Sequence, residues 1–290
     1  MKLFAGRLLR HPLRNVRRFL SLLLIVAALL LCAGCRARPA KPRVELTFQK
    51  VAFQIGETTI HAHVTQVGLN SVTIIQLHED ETTCAEAAQA VLEKQGGRFI
   101  RLVHSGKRRV TFSLNGTSYS FDPNRIFSQD GLNKTVRSKG AVPEEARHAV
   151  REFSAQLVGH FALGNQPSLI AIHNNGDGQY SINSYKPNAT YELDADQLSI
   201  NPEADPDDFY YVTDPFFFST LKAATFNVIL QDNRILRDDG SLSVFAGRRN
   251  IPYINVETET EHLAEQIRML DFAVRISLKR ERSQRWSRRP

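Results

Sequence analysis

Short apolar runs that each end on or just before a polar or charged residue, alternating along the chain with segments of helical spacing, constrain this sequence more than any other feature. The runs are residues 71–77 (SVTIIQL), 167–173 (PSLIAIH), 226–231 (FNVILQ) and 251–257 (IPYINVE). Continuous apolar runs of this length read as strands buried on both faces. Residues 98–104 form a further strand. Residues 82–93 (TTCAEAAQAVLE) are Ala-rich with helical spacing and stop at Gly96-Gly97, while 143–162, 215–224 and 261–278 read as further helices. Residues 240–247 read as a loop. Two hairpins add antiparallel pieces. The segments 44–53 and 58–67 alternate in polarity around Gly56, and 108–114 and 117–121 flank Asn115-Gly116, a strong signal for a tight turn. Strands alternating with crossover helices predict an α/β fold: a mixed, mostly parallel twisted sheet sandwiched by helices. Residues 44–278 carry no repeat and suffice for a single domain with its own core.

The ends have a different character. Residues 1–34 begin with basic residues and no acid, continue through the apolar stretch Phe19 to Leu31, and reach small residues before Cys35. That order reads as an export signal, too short in its apolar part for a comfortable span. Leu31-Cys32-Ala33-Gly34-Cys35 resembles a bacterial lipobox, although Cys32 stands where such motifs usually carry leucine. The resemblance implies that Cys35 is the lipidated first residue of a mature lipoprotein, held to the membrane by that lipid. Arg36 after it favours the outer membrane, with the protein facing the periplasm. Residues 35–43 are then a lipidated basic tether and 279–290 (KRERSQRWSRRP) a basic tail.

The chain's net charge of +7 belongs to these ends. Ten of the 37 Lys and Arg precede residue 44, which leaves 27 against 30 acids beyond it, a net −3. An acidic body speaks against nucleic acid as a partner; the basic ends suit lipid head groups or an anionic wall polymer. With Cys32 removed and Cys35 acylated, Cys84 stands alone, so no disulfide framework is expected and Cys84 reads as a small buried residue.

Chemically distinctive residues sit at or just past strand ends, where sites of α/β sheets collect. His78 and Glu81 form H-x-x-E, residues 122–125 read Asp-Pro-Asn-Arg, His173 closes an apolar strand, and Glu257 follows another. Histidine and glutamate supply the nitrogen and oxygen donors of a catalytic zinc. Arginine's planar fork matches a carboxylate. Glu257 and Glu259 share one side of a strand, so alternation alone does not choose between them.

In this order the elements resemble the zinc carboxypeptidase superfamily, in particular its succinylglutamate desuccinylase and aspartoacylase-like branch, over residues 71–275. The resemblance implies a Zn2+ ion held by His78, Glu81 and His173, with Asn124 and Arg125 binding a substrate carboxylate and Glu257 acting as general base. It also calls for an oxyanion donor upstream, for which Arg109 is preferred over Lys107 and Arg108. Two departures stand out. D-P-N-R replaces the family's D-L-N-R, and residues 241–245 lack the tyrosine that carboxypeptidases proper carry before the glutamate, which moves the reading toward the acylase-like branch. The implied activity is zinc-dependent hydrolysis of an amide bond next to a free carboxylate, in a peptide or an acylated amino acid, with cell-wall peptides suggested by location. A non-catalytic ligand-binding lipoprotein of the same fold is one alternative; a muramoyl-alanine amidase, a class without the Asn-Arg pair, is another. Residues 186–214, rich in Pro, Asp and aromatics, are expected to shape the substrate pocket.

Overall fold

A computed structural model describes residues 45–235 and 237–287. The export signal, Cys35 and the tether expected from the sequence lie outside the described residues. Among the described residues no helix is long and apolar enough to cross a membrane.

The strands are β1 (Leu46–Ile55), β2 (Thr58–Val67), β3 (Thr73–Gln76), β4 (Gly97–Val103), β5 (Val110–Leu114), β6 (Thr117–Phe121), β7 (Leu169–Asn175), β8 (Ala195–Ser199), β9 (Phe209–Val212), β10 (Val228–Gln231) and β11 (Tyr253–Glu259). The helices are α1 (Thr82–Gln95), α2 (Gln129–Thr135), α3 (Glu144–His160), α4 (Pro215–Ala223), α5 (Leu242–Arg248) and α6 (Leu263–Ser287). Nine strands form one mixed sheet in the order β1-β2-β4-β3-β7-β11-β9-β10-β8, and β5 and β6 pair by themselves. The centre, β4-β3-β7-β11, is parallel. Antiparallel pairs flank it: β1 with β2 and β2 with β4 on one side, β11 with β9 and β10 with β8 on the other.

Each central strand feeds two cores, which is why its sequence shows no alternation. Ile75, Leu169, Ala171 and Tyr253 pack on one face with Val150, Phe153 and Leu157 of α3 and Phe112 and Phe121 of the hairpin. Ile74, Ile170, Ile172, Ile254 and Val256 pack on the other with Ala88 and Val91 of α1, Leu221 of α4 and Leu270 and Val274 of α6. Burying each such large apolar side chain is worth roughly 1.5–3 kcal/mol, so both faces must be covered for the sheet to persist.

Three elements differ from the sequence expectation. The stretch read as a loop at 240–247 contains α5: the Ser241 hydroxyl accepts from the Val244 amide at 3.4 Å, and Leu242, Phe245 and Ala246 are buried. Gly247, which reads as a helix breaker, packs against side chains: a Cβ there would lie 2.4 Å from Asn233 Oδ1 and 2.5 Å from Gln231 Nε2. The Pro- and Asp-rich region holds two strands, β8 and β9, the second a fully buried run of Phe209, Tyr210, Tyr211 and Val212. Lastly, α6 continues past Leu278 to Ser287, through much of the segment read as a tail.

Candidate active site

The link from β3 to α1 builds the first half of the site. Gln76, buried at the end of β3, donates through Nε2 to the carbonyl oxygens of His78 (2.9 Å) and Glu81 (2.7 Å). These bonds fold the backbone so that both side chains face one point. Glu81 occupies the N-cap of α1 yet makes no side-chain capping bond. Its carboxylate is directed to the histidines instead. His173 arrives from β7, the neighbour of β3, and Gln266 of α6 donates to its carbonyl oxygen at 3.2 Å.

The three side chains close a triangle. His78 Nδ1 lies 3.0 Å from Glu81 Oε1, His173 Nδ1 lies 3.0 Å from Glu81 Oε2, and the two Nδ1 atoms are 3.1 Å apart. Ligand atoms bound tetrahedrally at 2.0–2.1 Å stand about 3.3 Å from one another, so this donor set fits a zinc ion after shifts of a few tenths of an ångström. Two imidazole lone pairs repel at this distance unless a proton or a cation lies between them. All three residues are buried, His78 at 1 % exposure, His173 at 3 % and Glu81 at 6 %.

Outer partners hold the ligands in place. Asp122 Oδ1 lies 2.8 Å from His78 Nε2, which orients the ring so that Nδ1 points inward. The same oxygen accepts from the Asn124 amide at 2.8 Å, capping the short turn Pro123–Arg125. Burial by itself would lower the His78 pKa, but the Glu81 charge and hydrogen bonds to Asp122 and Glu81 prevail and raise it to about 9. Burial works against ionisation of Glu81 and Asp122 too, and there the histidines prevail, holding both carboxyls well below the usual range.

Glu257 faces this group. It is the register partner of His173 across β7 and β11, and Asn255 Nδ2 donates to its Oε1 at 2.8 Å. Complete burial raises its pKa and the Glu81 charge adds to the rise, with His173, the Asn255 bond and Arg108 offsetting it only in part. Glu259, the other candidate, lies instead with His262, whose Nε2 is 3.5 Å from Glu259 Oε2. Of the two glutamates left open by strand alternation, Glu257 is the register partner of His173 and Glu259 lies with His262.

Asn124 bridges the site and α5. Its Oδ1 accepts from the Leu242 amide at 3.0 Å and its Nδ2 lies 3.4 Å from His173 Nε2. Arg125 donates to the Asn124 carbonyl at 2.8 Å and pairs with Asp239 at 3.5 Å, with its side chain 38 % exposed and open to a ligand. Gly240, at φ +77°, lets this loop run against the Arg125 backbone; a Cβ there would meet Arg125 O at 2.5 Å. Arg109 does not reach the site: its Nη2 donates to the carbonyls of Thr135 (2.6 Å) and Ser120 (3.2 Å). Arg108 does, with Nη1 at 2.7 Å from Glu81 Oε1. Cys84 is buried and bonded to Asn174 and Gln266, and burial pushes its thiol well up.

Sequence reasoning missed Tyr180 and Tyr185. Their hydroxyls hydrogen-bond to each other, and both phenols are shifted upward, chiefly by burial and further by the nearby Glu257 charge. They bring hydroxyls near Glu257 from a segment unrelated to the loop before β11. No spacing in the sequence announces this.

No family model and no curated protein matches the sequence. Solved structures do align with it. A candidate metallopeptidase from Shewanella amazonensis is 15 % identical over 91 % of each chain, with a TM-score of 0.36. An aspartoacylase family protein from Mesorhizobium loti is 12 % identical over 80 % of this chain and 68 % of its own (TM-score 0.40). A murein-tripeptide amidase from Escherichia coli O157 is 11 % identical over 79 % of this chain and 91 % of its own (TM-score 0.37).

Proposed function

We propose that this chain is a zinc-dependent hydrolase that cleaves an amide bond next to a free carboxylate, in a peptide or an acylated amino acid. The observation that carries this reading is the convergence of His78 Nδ1, Glu81 and His173 Nδ1 within 3.1 Å of one another, with the carboxyl of Glu257 buried beside them. Bound there, zinc supplies a polarised water whose pKa falls toward neutrality. The chain's own residues do the rest. Glu257, with its pKa raised by burial, takes the proton from the attacking water and returns it to the leaving amine. Arg108 carries the positive charge nearest the ligands and is placed to stabilise developing negative charge on the scissile oxygen. Arg125, beside Asn124 and partly exposed, holds the substrate's carboxylate with paired hydrogen bonds.

In the same proposal, Cys35 carries a lipid that tethers the domain to the outer membrane on its periplasmic side, where cell-wall peptides are the accessible amides. The basic, acid-free stretch before Cys35 supports that placement. The test is zinc content together with amide hydrolysis. Purified protein should hold close to one zinc per chain and release amine from N-acyl amino acids or peptides with a free carboxylate. A well-folded protein that takes up no zinc would sink the reading.

A further inference from the structure

A second group of acids gathers around Glu259, two residues beyond Glu257 on the same strand, outside the site described above. One carboxylate oxygen from each of Asp177, Asp207 and Glu259 lies within 4.8 Å of the others. Two oxygens bound to one calcium ion at 2.4 Å can stand at most about 4.8 Å apart, so the cluster has the dimensions of a calcium coordination sphere.

Asp207 provides an independent sign. It is 3 % exposed; its Oδ2 accepts from the Gly178 amide at 2.7 Å, while its Oδ1 is buried with no hydrogen-bond partner. A buried carboxylate oxygen without a donor costs free energy unless a cation meets it. Asn175 Oδ1 is likewise buried and unpartnered, and Asn175 sits directly across from Glu259 in the β7–β11 register while its Nδ2 donates to the Asp207 carbonyl at 2.7 Å. Among the described residues neither Asp177 nor Asp207 forms an ion pair, and Glu259 has only His262 at 3.5 Å. Asp177, Asp207, Glu259 and the Asn175 amide offer oxygen, the preference of a hard cation, while the imidazole of His262 lies 3.5 Å from Glu259 and 3.1 Å from Asp208.

We propose that Asp177, Asp207 and Glu259, with Asn175 Oδ1, form a binding site for one calcium ion that staples the excursion between β7 and β9. Asp177 opens that excursion and Asp207 closes it, while Glu259 belongs to the sheet. One ion bound to all three fixes both ends of the segment against β11. The segment carries Tyr180 and Tyr185, which lie near Glu257, so the ion stiffens one wall of the proposed active site. The calcium site itself stands independently of the proposed hydrolase activity.

The test is calorimetric titration of calcium chloride into full-length protein dialysed free of calcium and holding one equivalent of zinc, with thermal unfolding in parallel. Wild type should bind one calcium per chain and gain about 5 °C or more in Tm at a hundredfold excess over Kd. Asp207→Asn and Glu259→Gln should each weaken binding about tenfold or more, through the lost ligand charge. Should Asp207→Asn fail to fold, Glu259→Gln decides. His78→Ala should retain calcium binding. The proposal is overturned if wild type shows neither heat nor a Tm shift up to ~10 mM calcium, beyond the range of extracellular calcium modules. It is equally overturned if the variants that fold bind like wild type, or if His78→Ala abolishes the signal, which would place calcium in the histidine site.

Discussion

Two clusters of ionisable groups hang on the last residues of one strand, and they are built on opposite plans. Glu257 lies with His78, Glu81 and His173, which mix nitrogen and oxygen donors and are all buried; Glu259, two residues on, lies with Asp177 and Asp207, which offer oxygen only, with Asp207 buried and Asp177 and Glu259 open to solvent in full or in part. His78 and His173 come from the ends of adjacent parallel strands, and Asp122 backs one of them. Asp177 and Asp207 come from the two ends of one excursion. Acid density alone would rank the second cluster first. Donor chemistry reverses the ranking for catalysis, because imidazole with one carboxylate suits zinc and its activated water, whereas carboxylates alone suit a structural hard cation.

The largest effects should come from crossing that divide. His78→Ala should remove zinc and reduce hydrolysis to background, read by metal analysis and amine release. Glu257→Gln should keep the zinc and lower kcat by about 10²–10⁴-fold, the usual worth of a general base. Glu259→Gln should leave kcat within a few-fold of wild type when calcium is saturating. Were Glu259→Gln the more damaging of the two glutamine variants, the assignment of the base would be wrong.

Next in size is the support behind the ligands. Asp122→Asn keeps a hydrogen-bond acceptor for His78 Nε2 but removes its charge, and zinc affinity should fall about 10–100-fold, read by competition with a chelator. Zinc affinity that stays unchanged would mean that Glu81 and His173 orient His78 without Asp122.

The first cluster could be read in the sequence and the second could not, for physical reasons. Buried parallel strands must be apolar throughout, so β3, β7 and β11 announce themselves, and the polar residues that end them stand out as His78, His173 and Glu257. Asp177 and Asp207 meet only because the chain folds back over the residues between them. The same holds for Tyr180 and Tyr185. Arg108 and Arg109 are neighbours in the bend before β5 and point different ways, so only the structure shows that Arg108 reaches Glu81. Around α5 the punctuation misled: Gly240 is there for close backbone packing and Gly247 lies against the Gln231 and Asn233 side chains, and the buried face of Leu242, Phe245 and Ala246 outweighs them.

Smaller effects separate binding from structure. Arg125→Ala should raise KM about tenfold or more for substrates with a free carboxylate, the worth of a hydrogen bond to a charged group, with kcat little changed. Arg109→Ala should leave KM alone and lower stability by about 1–3 kcal/mol, because the Ser120 and Thr135 carbonyls lose their donor. Parallel denaturant melts and kinetics on the two variants separate these outcomes; a KM effect in Arg109→Ala would return it to the site.

The subtlest difference between the clusters is their response to pH. His78 has its pKa raised from 6.5 to about 9 in the metal-free fold, so its protonated form contributes stability that is fully present below pH 6.5 and is lost as pH rises through about 9. Zinc needs the deprotonated ring, so metal binding displaces that proton. Across pH 6.5 to 9 the metal-free protein should therefore lose Tm while its zinc affinity climbs, and calorimetry in buffers of different ionisation enthalpy should register proton release. Calcium at Asp177, Asp207 and Glu259 meets oxygen donors and no ligand imidazole, so its binding should displace no histidine ligand's proton and show no such climb. A zinc affinity flat with pH would mean that Glu81 and Asp122 do not hold His78 protonated, and the charge contrast between the two clusters would disappear.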